Sequence, residues 1–180
     1  GGAFAGGATT NVMTYSVPQV GHKTITKYIS SKDSSGNRKS SESDNTQYAD
    51  NLDYYDDVTI TNATSVNVRI RYSTESTSYD WVCLFKPGII PETEDACSTT
   101  NTYSGKLGGS STTTWSSAPV WPSATTYQTV PGDTARIYFH SDSSSHYYGY
   151  WATVTGEGDE VTQNLISGTY VEPTRTDYAF

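Results

Sequence analysis

The chain has 180 residues, enough for one domain with a buried core and a flanking arm. Its net charge is −8, from 11 Lys and Arg against 19 Asp and Glu, and no basic cluster offsets that sign, so nucleic-acid binding is not expected. No apolar run approaches the roughly 20 residues that span a bilayer, so membrane insertion is not expected either. Only 34% of the chain is hydrophobic and 17% charged. Ser, Thr, Tyr and Val are plentiful while Ala and Leu are scarce, which favours a pleated, half-buried surface and an all-β fold.

Residues 1–50 read as an N-terminal arm or linker carrying the first strand or strands, with a Gly-Gly start expected of a processed or excised secreted segment. Their apolar content is concentrated in Val12–Val17 and in the alternation from Thr24 to Ile29. Ser30–Asp50 is almost entirely Ser, Asp, Asn, Lys and Gly, which predicts a long exposed loop or an ordered arm. Residues 51–158 hold the sandwich. Asn62-Ala63-Thr64 is a glycosylation sequon. Val66, Val68, Ile70 and Tyr72 alternate with polar residues, the period-2 pattern of a strand with one buried face. Trp81–Phe85 predicts a more buried strand, stopped by Pro87-Gly88. Thr125–Val130 predicts another strand, and Pro131-Gly132-Asp133 a turn. Ala135, Ile137 and Phe139 alternate again, as do Tyr150, Ala152 and Val154, so His140–Tyr150 is expected as a loop between two paired strands. No segment has helical periodicity, and short strands at turn-marked intervals predict a sandwich. Residues 159–180 form a C-terminal extension or the start of a following repeat.

Cys83 and Cys97 stand fourteen residues apart. In an acidic, Ser/Thr-rich chain they suit a disulfide formed in an extracellular compartment, worth about 3 kcal/mol if loop entropy governs it. The alternative is two buried thiols.

Two acidic loops carry the clearest chemistry. Glu75 and Asp80 lie between two predicted strands, and Asp142 lies in the loop after another. Sheet geometry could bring these carboxylates together, and hard cations such as Ca²⁺ take six to eight oxygen ligands. The plainer alternative is a pair of solvated loops.

Phe139-His140-Ser141-Asp142-Ser143-Ser144, followed by Gly149-Tyr150-Trp151-Ala152, resembles the C-terminal signature of the CUB domain family, and Glu75 with Tyr79-Asp80-Trp81-Val82 resembles its upstream half. The resemblance covers about residues 54–156 and implies a jelly-roll β-sandwich binding Ca²⁺ at one end. It makes Glu75, Asp80 and Asp142 carboxylate ligands, with Ser144 adding an oxygen through its backbone. Glu75 and Asp80 are closer in sequence than is usual in that family, and its two common disulfides are not reproduced. Gly168–Phe180 resembles the start of an internalin-type B repeat, with Asp177 where that repeat has Gly. Both resemblances imply a divergent module of a bacterial surface protein.

No nucleophile–base motif appears, and the paired carboxylates show no spacing that brackets a glycosidic bond, so an enzyme is not expected. His140 and His146 flank Asp142 but read as surface histidines. The expected function is a calcium-binding extracellular recognition or adhesion module whose partner is a protein or glycan on a surface. One alternative is a carbohydrate-binding module using Trp115, Trp121, Tyr147 and Tyr148, of which Tyr147 and Tyr148 lie nearest the acidic loop. Another is a filament subunit, self-associating through strand exchange of the Gly1–Val20 arm.

Overall fold

A computed structural model describes the backbone of residues 12–92 and 96–171, and the side chains of residues 21–92 and 96–158. Among the described residues eight strands run in chain order: β1 (Val12–Ser30), β2 (Asp53–Thr59), β3 (Ser65–Ser73), β4 (Trp81–Leu84), β5 (Val120–Trp121), β6 (Gln128–Pro131), β7 (Thr134–His140) and β8 (Gly149–Val171). Lys23–Gly158 forms one compact unit, and the outer parts of β1 and β8 belong to a second. Pro173–Phe180, which carry most of the repeat-like motif, and residues 1–11 of the arm lie outside the described residues.

The unit Lys23–Gly158 is an all-β sandwich of two antiparallel sheets. One sheet has the order β1-β8-β3-β5, with β6 also paired to β3; the other has the order β2-β7-β4. The register sets Val68 opposite Val154 and Ile70 opposite Ala152 in the larger sheet, and Val58 opposite Ala135 in the smaller. Period-2 alternation therefore turns Val66, Val68, Ile70, Ala152 and Val154 toward Val58, Val82, Leu84, Ala135, Ile137 and Phe139, and these residues form one buried core. Cys83 and Cys97 form a disulfide, with Cα atoms 6.2 Å apart, that ties the segment after β4 over the outer face of the smaller sheet. There it packs with Trp81, Phe85 and Tyr138.

Two expectations are corrected, and of the two forms expected for Ser30–Asp50 the ordered one is found. The segment His140–Tyr150 does not join paired strands: β7 pairs with β2 and β4, whereas β8 pairs with β3, so the chain crosses between sheets at one end of the sandwich. Alternation reports that a strand has one buried face, and it carries no record of which sheet the strand joins. The strand expected from Thr125 begins at Gln128, because the Ser123 hydroxyl accepts the amide N–H groups of Thr125 and Thr126 and holds a turn. The polar stretch Ser30–Asp50 is folded against the sandwich: Tyr48 is buried in the main core, and the Arg38 guanidinium takes both oxygens of Asp56 at 2.7 Å.

Gly149 returns the crossing loop into β8. Its φ is +84°, and a Cβ there would overlap the Ser31 side chain, whose hydroxyl accepts the Tyr150 amide at 3.1 Å. Both the backbone angle and the space demand glycine. Gly149→Ala is expected to cost about 3 kcal/mol of unfolding free energy in urea titration; a loss within about 0.5 kcal/mol, the range of a neutral surface change, would contradict this account of the crossing.

Candidate metal centre

The strand ends bring the acids together. Trp81 of β4 sits opposite His140 of β7, so Asp80, just before β4, lies beside the chain leaving β7 toward Asp142. Glu75 follows the end of β3 in the other sheet. Glu75, Asp80 and Asp142 each present a carboxylate oxygen within 4.8 Å of the others. This cluster can hold a metal ion.

Asp80 is the fixed member, with no exposed surface. Its Oδ1 accepts the Asp142 amide at 2.8 Å, and its Oδ2 accepts the Tyr48 hydroxyl at 2.6 Å. The same Tyr48 oxygen accepts the Glu75 amide at 3.2 Å, so one phenol joins both halves of the upstream loop. Around them, the Thr74 hydroxyl contacts the carbonyls of Glu75 and Asp80, and the Gly109 amide donates to the Glu75 carbonyl at 2.7 Å. Gly108 closes this wall: a Cβ there would stand 2.7 Å from the Asp80 carbonyl oxygen and from Thr74 Oγ1. Asp142 is held by its carbonyl, which accepts the Asn51 amide at 2.7 Å. Ser144 meets it through its amide, donated to Asp142 Oδ1 at 3.1 Å, and so orients that carboxylate.

Arg38, Arg71 and Arg136 pair with Asp56, Glu42 and Asp57 rather than with these carboxylates, and His140 exerts a favourable pull on Asp80 that does not offset its burial. Glu75 Oε2 is occluded and has no hydrogen-bond partner. Desolvation, then repulsion from Asp142 and Asp80, raises the Glu75 carboxyl above its ordinary value. Asp80 is also raised, chiefly by desolvation and against the opposing pull of its bonds from Tyr48 and Asp142. Burial and the bond to Asp80 raise the Tyr48 phenol, which keeps it a donor.

The remaining candidates stand elsewhere. His140 stacks on Trp81 with centroids 4.3 Å apart, and His146 Nδ1 lies 3.1 Å from Asp50. Tyr147 packs toward the main core and Tyr148 toward Trp115, so the two adjacent tyrosines do not form one surface. Trp121 also packs against the core, and Trp115 is buried. Asn62 is exposed in the turn between β2 and β3. Tyr48 was not among the expected residues; its one signal is being a lone aromatic in a polar stretch. Searches against family models, characterised proteins and solved structures found no match to this chain.

Tyr48→Phe is expected to lower unfolding free energy by about 1–3 kcal/mol, because it leaves a buried carboxylate oxygen without its donor; an unchanged urea midpoint would contradict that role. The pH dependence has a definite sign. Carboxyls raised in the folded state bind protons more tightly folded than unfolded, so in chelator the melting temperature rises as pH falls from neutrality toward the ordinary values of 4.5 and 3.8. Asp44, held below its ordinary value by bonds from Thr46 and Ser40, opposes this only lower in pH. The rise should be lost in the Glu75→Gln, Asp80→Asn double variant, and a rise of equal size there would refute the assignment.

Proposed function

We propose that this chain is a Ca²⁺-binding, CUB-like module for recognition or adhesion in a secreted or cell-surface protein. The observation that carries the reading is the convergence of three carboxylates within 4.8 Å, one of them on a fully buried residue. An all-oxygen donor set from two loops suits a hard cation, and the absence of His or Cys from this cluster disfavours Zn²⁺ or Cu²⁺. The Cys83–Cys97 disulfide is consistent with an oxidising compartment. In this reading Glu75, Asp80 and Asp142 are direct ligands, and Ser144 holds the downstream loop in register with them. Relief of carboxylate repulsion would fix the Glu75–Asp80 loop and the crossing loop in one conformation, so cation affinity becomes loop stability. The two fixed loops would then present one surface to a protein or glycan partner.

Ca²⁺ is expected to raise the melting temperature with a dissociation constant of about 10⁻⁴–10⁻³ M, as in other extracellular modules. Asp142→Ala should remove both the shift and the heat of binding. No heat of binding in calorimetry with chelator-stripped protein would refute the reading.

A further inference from the structure

A second site lies on the outer side of the larger sheet, in a groove of about 520 Å³. Trp115 forms its floor, with Tyr148 beside it at 6.1 Å and tilted by 45°. One wall is the 39–46 loop carrying Glu42 and Asn45; Arg71 reaches in from β3.

This groove is built before any ligand arrives. Asp44 accepts the amides and hydroxyls of both Ser40 and Thr46, which fixes the loop. The Lys39 ammonium, on a buried residue, donates to the Asp44 and Thr46 carbonyls at 3.0 and 2.6 Å and stands 4.8 Å from the Trp115 ring centre. Trp115 Nε1 donates to the Glu42 carbonyl at 2.5 Å, so the floor holds the wall. A preformed site loses little entropy on binding.

Its chemistry selects the ligand class. Arg71 Nε lies 3.2 Å from Glu42 Oε1, which sets a donor and an acceptor side by side, and the Glu42 side chain remains 54% exposed. Vicinal sugar hydroxyls both donate and accept, and match such a pair. The apolar C–H face of a pyranose would lie against Tyr148, backed by the buried Trp115 ring, and Asn45 adds a carboxamide beside the pair. The charges available to a ligand cancel, since Arg71 offsets Glu42 and Lys39 is enclosed by carbonyls. We infer that this groove binds a neutral pyranose unit of an oligosaccharide. None of the three clustered carboxylates takes part, so the inference stands apart from the cation reading.

The experiment is calorimetry on the full chain, in Ca²⁺ and again in EDTA, with hexasaccharides of glucose, mannose, galactose and xylose and with an oligogalacturonate. At least one neutral hexasaccharide is expected to bind in both buffers, and Tyr148→Ala and Glu42→Gln should each weaken it about tenfold or more while leaving the melting temperature near that of the parent chain. Asn45→Ala, a smaller deletion on the same wall, keeps the test open if either variant fails to fold. No heat from any neutral sugar up to about 10 mM, binding of oligogalacturonate alone, or equal affinity in the folded variants would overturn the inference.

Discussion

The buried Asp80 carboxylate is the constraint around which this end of the sandwich is organised. A carboxylate removed from water is costly unless its oxygens are satisfied, and here each oxygen has one donor from a different part of the chain. The phenol comes from the polar segment before β2, and the amide from the loop after β7. Burying one acid therefore fastens to the start of β4 two segments that are also bonded to each other through Asn51 and Asp142. The two bonds leave its charge in place, and Glu75 and Asp142 add two more carboxylates within 4.8 Å. The Lys23–Gly158 unit holds this repulsion at one end of an otherwise apolar sandwich core.

That division explains why so much of the fold was legible. Strands with one buried face announce themselves by alternation, as in Val66–Ile70 and Ala135–Phe139, because sheet geometry allows no other way to bury every second residue. The three acids were legible for a related reason: each lies within a few residues of a strand end, and strand ends are where a sandwich gathers its loops. Which sheet a strand joins was not legible. β7 and β8 flank one short loop and look like a hairpin, yet the chain passes from one sheet to the other, a choice made by packing of both inner faces at once.

Tyr48 and the groove were hidden for a different reason. Tyr48 sits among Ser, Asp and Asn, where composition predicts exposure, and distant partners such as Asp80, Glu75 and Phe139 account for its burial. Glu42, Arg71, Trp115 and Tyr148 come from four separate segments, so no local pattern could associate them. In the groove wall local hydrogen bonds do the work that apolar content does elsewhere. Asp33 and Asp44 cap turns in the 31–46 segment through their own neighbours, which lets a polar stretch hold a fixed shape.

The central claim is that Glu75, Asp80 and Asp142 act together as one cation site, and terbium luminescence tests it most directly. Tb³⁺ takes calcium-like oxygen sites and is sensitised by nearby aromatic rings, here Tyr48 and Trp81. Saturable emission excited through these rings, displaced by Ca²⁺ and absent from the Glu75→Gln, Asp80→Asn variant, is the predicted result. Emission of equal strength from that variant, or emission that Ca²⁺ does not displace, would contradict the account.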